Sequence, residues 1–366
     1  MPVRILHIVT YMGRGGLETM LMNYYRHVDR EKIQFDFLVH RDFEADYDAE
    51  ILSLGGRIYH VSRLIPWSRS YRDELKAFFR QHPEYRIVHV HQDCLSAVAL
   101  ECAKECGIPV RIAHSHTANQ DRNVKYWIKR HYMKQIPAFA TDLFACSRAA
   151  GDWMFCGNDY RLMKNAIEAE HFAYDAQAAA DIRNEFSLKD SVVIGHIGRF
   201  SPPKNHDYLI DIFAACVKAE PDARLLLVGD GELRPQIEKK VKDLHLEQHV
   251  IFTGVRSDVA RLLQAMDVFL FPSAYEGLPV SMVEAQAAGV PCVVSDGVSM
   301  ETVITSGLIE VCSLKDAPEV WAQTVLQQAA RDHEDHRAEI EAAGYDVSEA
   351  AGKLQDFYLN KVKNVF

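Results

Sequence analysis

Along the chain, short apolar runs alternate with longer stretches whose apolar residues recur every three to four positions. In the first half the runs fall at Ile5–Thr10, Phe35–Val39, Ile87–His91 and Val110–His114, with helical spacing over Leu17–Val28 and Ala97–Cys106. The second half repeats the rhythm with runs at Val192–Gly198, Leu225–Gly229, Val250–Thr253, Val268–Phe271 and Pro291–Ser295, and a helical stretch over Leu209–Ala219. Continuous apolar runs mark strands buried on both faces, and their alternation with helices predicts parallel sheets covered by βα crossovers. From about Asn165 to Leu188 the rhythm breaks, with an Ala-rich Ala176–Ala180 and no strand, so the domain junction is placed there. At the end, Ala351, Leu354, Phe357, Tyr358 and Val362 fall at helical spacing and predict a closing helix over 348–362. A chain of 366 residues exceeds what one core usually organises, and two doubly wound α/β domains are expected.

In open parallel sheets, ligands bind beyond the carboxyl ends of the strands. Two such domains facing each other would bring those ends to one cleft, so the residues that follow each strand carry the candidate chemistry. After the Val268–Phe271 run comes Glu276-Gly277-Leu278-Pro279, and Pro279 marks the start of a helix that runs through Glu284 to about Ala288. Free amides at that helix start favour an anion such as a diphosphate, and flanking carboxylates can accept hydrogen bonds from sugar hydroxyls. Two solvated glutamates near a helix start would show the same spacing. After the first run comes Gly13-Arg14-Gly15-Gly16, whose backbone can approach a phosphate closely or make a tight strand-to-helix turn. After Val192–Gly198 comes Arg199-Phe200-Ser201-Pro202-Pro203-Lys204, two cations on a stiffened turn that can neutralise phosphate oxygens or lie on the surface. Gly229-Asp230-Gly231-Glu232 and Thr253-Gly254-Val255-Arg256 are strand-end turns whose backbone can also face a base edge. His116 follows a strand in His114-Ser115-His116-Thr117, where it can bond a sugar hydroxyl.

Charge and cysteine content narrow the classes. Residues 1–165 carry 23 basic against 19 acidic residues and the remainder 18 against 32, so the overall charge of −10 argues against nucleic acid as a partner. The basic excess concentrates in Arg122, Lys125, Lys129, Arg130 and Lys134, interleaved with Tyr126, Trp127, Ile128, Tyr132 and Met133. Such a segment suits either a solvated helix face over a core or contact with an anionic membrane surface. Eight cysteines without a Cys-x-x-Cys pair read as reduced thiols, and Pro2–Thr10 is too short for a signal peptide, so residence in the cytoplasm is expected. No metal is assigned. His89/His91 and His114/His116 each put two imidazoles on one strand face, but no cysteine or carboxylate joins them at zinc-site spacing. Asp46-Tyr47-Asp48 is a possible metal-binding acidic pair, read as a solvated loop or helix face. No Gly-x-Ser-x-Gly elbow supports a hydrolase.

With these residues assembled, the chain resembles the retaining nucleotide-sugar glycosyltransferases of family 4, with the GT-B fold, along nearly its whole length. The resemblance rests on Glu276/Glu284, Gly15-Gly16-Leu17-Glu18, Gly198-Arg199 through Lys204, Gly229-Asp230-Gly231 and the C-terminal helix, in the family's order. His114-Ser115-His116-Thr117 and Val88-His89-Val90-His91 resemble enzymes of capsular or exopolysaccharide assembly. It implies an acceptor-side domain at 1–168, a nucleotide-sugar domain at 169–345, and a helix at 346–366 that packs back toward the first. It further implies that Arg199 and Lys204 hold the donor phosphates, Glu284 the ribose, and Glu276 the hexose with the amides of Gly277 and Leu278. Gly15, Gly16, Gly198, Gly229, Asp230 and Val255 would complete the donor contacts, and His116 would lie near the reacting carbon. Asn165-Ala166 departs from the family's usual Asn-Gly. The implied activity is metal-independent transfer of a hexose, with UDP as the nucleotide by family habit, to a glycan or lipid-linked acceptor, with peripheral contact at the inner membrane face. No cofactor beyond the donor is implied. A sugar-nucleotide epimerase or hydrolase, and a non-catalytic sugar-nucleotide-binding component, are the rival readings.

Overall fold

The computed structural model describes residues 2–118, 125–276, 278–305 and 307–363. The chain forms two compact units, one of residues 1–166 with 347–366, the other of residues 167–346.

Among the described residues, the first unit holds strands β1 (Val3–Ile8), β2 (Ile33–Val39), β3 (Ile58–His60), β4 (Ile87–Val90), β5 (Val110–Ser115), β6 (Asp142–Ala145) and β7 (Arg161–Leu162). Its helices are α1 (Gly16–His27), α2 (Asp48–Ser53), α3 (Arg69–Gln81), α4 (Ser96–Glu105), α5 (Lys125–Met133), α6 (Ile136–Phe139) and α7 (Arg148–Phe155). The strands lie parallel in the order β3-β2-β1-β4-β5-β6-β7, the doubly wound order, which reverses direction between β1 and β4. Helix α1 buries Met20, Leu21, Tyr24 and Tyr25, and places Glu18 in its first turn and Arg26 and His27 in its last, as the helix dipole favours.

The second unit holds β8 (Val193–Ile197), β9 (Arg224–Val228), β10 (Val250–Gly254), β11 (Val268–Phe271), β12 (Cys292–Ser295) and β13 (Ile309–Cys312). Its helices are α8 (Ala176–Glu185), α9 (His206–Ala219), α10 (Arg234–Asp243), α11 (Val259–Gln264), α12 (Val280–Ala287), α13 (Pro318–Ala329) and α14 (Arg337–Ala342). The order β10-β9-β8-β11-β12-β13 repeats the winding, with its reversal between β8 and β11. Its core joins Leu209 and Phe213 of α9 to Leu225, Leu227, Val268 and Leu270 of the sheet and to Trp321 of α13.

The last helix, α15 (Val347–Lys363), belongs to the first unit. It buries Val347, Ala351, Leu354 and Tyr358 in the core formed by α1, Ile5, Phe35 and Phe37. Full burial of such side chains contributes about 1.5–3 kcal/mol each, enough to hold a helix far along the chain to the first sheet.

Strand β11 coincides with its apolar run, whereas β1 is shifted toward the N-terminus. The run overshoots there because Val9 and Met12 are also buried, in the loop beyond the strand. The pattern gives no sign of β3, β6, β7 or β13. Strands β3, β7 and β13 are short and at most partly buried along their length, and they form both sheet edges of the first unit and one of the second, so burial on two faces does not mark them.

Candidate functional site

In the second unit, the topological reversal brings the segment after β8 beside the segment after β11. The turn Pro202–Lys204 ends with Asn205 in the left-handed region (φ 54), and the Asn205 amide donates to the Pro272 carbonyl at 3.1 Å. The Ala274 N–H donates to the Pro203 carbonyl at 2.7 Å. These bonds dock one strand end on the other and set Lys204 Nζ 2.7 Å from Glu276 Oε1, with only about one sixth of either side chain exposed. The Lys204 ammonium also lies 4.5 Å from the centroid of the Phe271 ring. Beyond β11, Glu276 bridges Val298 in parallel, which fixes the carboxylate's backbone.

Arg199 lies further out, largely exposed, and donates to Glu232 at 3.0 Å. Gly198, Gly229 and Gly231 have packing reasons of their own. Gly229 has φ +134, and a Cβ there would run into the Gly198 carbonyl. A Cβ on Gly231 would come 2.5 Å from the Phe200 carbonyl. The Phe200 N–H donates to the Asp230 carbonyl at 3.0 Å, while the Asp230 carboxylate pairs with Arg234 at 2.9 Å. The Gly229–Gly231 turn therefore shapes the loop that carries Arg199. Val255 follows β10 and is exposed.

Every residue of α12 is buried, which takes Glu284 out of water. Burial pushes its carboxyl up to about 7. Pro279 caps this helix in extended conformation (φ −70, ψ 126), one position before its first residue. Leu278 is buried beside it, and Gly277 lies outside the described residues. Three residues before Glu276, Ser273 is fully buried, and its hydroxyl has no hydrogen-bond partner among the described residues. Ser273 carries no signal in the sequence, because a lone serine has no spacing to mark it, and Glu232 stands out there only as part of the strand-end turn 229–232.

In the first unit, the loop after β1 ends at Gly15, which caps α1 in extended conformation, and the Thr19 N–H donates to the Gly15 carbonyl at 2.9 Å. A Cβ on Gly15 would meet only the end of the Glu18 side chain, so the fold itself does not demand glycine there. His116 follows β5. Its backbone N–H donates to Asp93 Oδ1 at 3.0 Å, and its Nε2 lies 3.0 Å from His91 Nδ1. His91 Nε2 in turn lies 3.0 Å from His7 Nδ1. Burial pushes the His116 imidazole down to about 3 and the Asp93 carboxyl up to about 6, the latter opposed in part by the His116 N–H. Neither Asp93 nor His7 stood out in the sequence; only the sheet register brings them to His116.

The acidic stretch departs from expectation. Tyr47 and Asp48 are buried, with Asp48 Oδ2 accepting from the Ala45 N–H at 2.9 Å and the Tyr47 hydroxyl 3.1 Å from that of Thr19. Packing of Tyr47 against α1 draws Asp48 inward, where it serves the start of α2. Of the basic segment, Arg122 and the Lys125 side chain lie outside the described residues. Helix α5 buries Met133, leaves Trp127 73% exposed, and has its Tyr132 hydroxyl donating to the Pro66 carbonyl at 3.0 Å. That contact places α5 beside a loop where Ile65 and Trp67 are exposed, Trp67 by 69%. Among the described residues, no helix is long and apolar enough to cross a membrane.

Residues 14–163 match the model of Glycosyltransferase Family 4, and residues 191–330 that of Glycosyl transferases group 1. A Bacillus subtilis (strain 168) protein named as a glycosyltransferase, EpsF, is 35% identical over 97% of this chain and 96% of its own length. An Escherichia coli UDP-Gal:alpha-D-GlcNAc-diphosphoundecaprenol alpha-1,3-galactosyltransferase is 27% identical over 58% of each chain. Among solved structures, Anabaena Alr3699/HepE in complex with UDP-glucose superposes with a TM-score of 0.82 at 18% identity, over 98% of this chain and 99% of that one. Likeness at that identity shows the fold, which is GT-B.

Proposed function

The chain belongs to glycosyltransferase family 4, and on that footing we propose that it transfers a hexose from UDP, with retention of anomeric configuration, to a glycan or lipid-linked acceptor in surface polysaccharide assembly. The observation that carries the donor assignment is the Lys204–Glu276 pair at the switch point of the second sheet, close in sequence to the buried carboxyl of Glu284. A partly exposed cation and carboxylate that pair with each other in the free protein can separate onto a donor, the cation to its phosphates and the carboxylate to its sugar hydroxyls.

Lys204 and Arg199 neutralise the leaving diphosphate, so no metal is needed at the phosphates. Glu276 holds the hexose, aided by the amides of Gly277 and Leu278, and Glu284 accepts from the ribose hydroxyls. The strand-end backbone at Gly198, Gly229, Asp230 and Val255 faces the nucleotide. In the first unit, Gly15, Gly16 and His116 keep the roles that the family resemblance assigns them. Attack comes from the face that the diphosphate leaves: as the glycosidic bond loosens, the departing phosphate oxygen takes the proton of the acceptor hydroxyl. Stabilising that developing charge is worth roughly 3–4 kcal/mol per donor group. The exposed Trp67, Trp127 and Ile65 with Lys129, Arg130 and Lys134 support peripheral contact with an anionic membrane at the cytoplasmic face. The name of the diphosphoundecaprenol galactosyltransferase relative supports a lipid-linked acceptor.

Thermal-shift screening of UDP-, GDP- and ADP-sugars identifies the donor, because a ligand that binds only the folded state raises the melting temperature. Product analysis with a membrane extract then tests transfer. A UDP-sugar hit and a new glycan bearing the labelled hexose are expected. A changed nucleotide sugar without acceptor, free hexose, or tight binding with no product would overturn the proposal in favour of an epimerase, a hydrolase or a binding component respectively.

A further inference from the structure

The first sheet carries histidines that the proposed transfer uses at one end only. His7 of β1 pairs in register with His89 of β4, and the β4–β5 register brings His91 level with His114 just past the Val90–Ala113 pair. Alternation along each strand puts His89 with His91, and His114 with His116, on one face. Five imidazoles thus line one face at the carboxyl ends of β1, β4 and β5, where the strand order reverses and open α/β sheets take ligands. The His114 ring centroid lies 4.0 Å from that of His116 and 5.2 Å from that of His91. The nitrogens that His91, His114 and His116 offer all fall within 4.8 Å of one another. His114 is buried, yet neither of its ring nitrogens has a hydrogen-bond partner among the described residues. Buried polar atoms in native structures are nearly always met by protein, water or an ion, so His114 requires a partner.

We propose that His91, His114 and His116 bind one divalent transition-metal cation of the zinc type. Three nitrogen donors and no oxygen suit zinc, nickel or copper and exclude magnesium and calcium as the preferred ion. Metal–nitrogen bonds of about 2.0–2.1 Å set ligands around a tetrahedral ion about 3.3 Å apart, close to the 3.0 Å between His91 and His116. The surroundings complete the site. His91 ligates through one nitrogen and turns the other to His7, 3.0 Å away, the outer-shell bond that orients a metal-bound imidazole. Asp93, bonded to the His116 N–H, brings a carboxylate to the site's edge. His116 is half-buried, which leaves a way in and room for a fourth ligand.

The test is calorimetric titration of chelator-treated, tag-free protein with zinc chloride, with metal content measured after desalting. One bound equivalent is expected in the wild type. His114→Phe, with an unchanged circular dichroism spectrum, should lose it, and His7→Phe should weaken binding about 10–100-fold. Failure of the folded wild type to hold stoichiometric zinc overturns the proposal, as does undiminished binding in folded His114→Phe, which would mean adventitious surface histidines only. If His114→Phe does not fold, the visible spectrum of the cobalt-loaded wild type decides: the absorption of a tetrahedral nitrogen site supports the proposal, and its absence overturns it. No donor or acceptor enters these measurements, so their failure and the failure of the transferase reading are distinguishable.

Discussion

Replacing Glu284 by glutamine keeps the side chain's shape and removes its titration. Burial raises this carboxyl to about 7 from the 4.5 of an exposed glutamate, a rise of about 2.5. At about 1.4 kcal/mol per pH unit, that rise corresponds to roughly 3 kcal/mol. Between pH 4.5 and 7 the folded protein keeps a proton that the unfolded chain has released, so the free energy of unfolding falls as pH rises. The wild type should therefore lose roughly 3 kcal/mol from this group between pH 4.5 and a pH above 7, and E284Q should not. Urea unfolding of both proteins at pH 5 and pH 8 measures the effect as a difference of differences, which cancels every other titrating group. Donor binding supplies the second half of the test. If ribose hydroxyls donate to the ionised carboxylate, wild-type donor affinity should fall about tenfold per pH unit below 7, and E284Q should bind weakly with no such slope. Parallel stability changes in the two proteins would refute the burial argument. A stability difference without a binding difference would leave Glu284 as a core residue and remove it from the ribose.

Lys204→Ala removes the cation facing Glu276, and turnover should fall about 10²–10³-fold in a steady-state transfer assay; normal turnover would sink the phosphate assignment. Gly229→Ala forces a side chain into a left-handed position against the Gly198 carbonyl, so stability should drop by roughly 1–3 kcal/mol in chemical denaturation; an unchanged midpoint would contradict the packing account. Trp67→Ser with Trp127→Ser should weaken sedimentation with vesicles containing anionic lipid while leaving donor binding intact. Equal vesicle binding would place any membrane contact elsewhere.

Much of the candidate site was legible because its signals are local. The apolar run ending at Phe271, the proline before α12 and the two prolines before Lys204 each report on their own few residues, and the structure follows them closely. The glycines were legible as turns but not as contacts. Gly229 and Gly231 are held by the backbone of the 198–200 segment on a neighbouring strand end, which no spacing within 229–232 could announce. Tyr47 and Asp48 were misjudged for a related reason: an acidic stretch looks solvated until an aromatic packs against a helix and draws its neighbour inward.

By itself the sequence determined the succession of buried strands, turns and helices that build the two sheets' centres, because periodicity, proline and glycine act through the backbone within a few residues. It also determined which chemical groups stand at the strand ends. Tertiary structure alone decided which of them meet and in what medium. Parallel register set His7, His91, His114 and His116 on one face, the docking of two strand ends joined Lys204 to Glu276, and the complete burial of α12 raised the carboxyl of Glu284. Distance and dielectric are properties of the packed chain, and both govern what a charge or an imidazole can do.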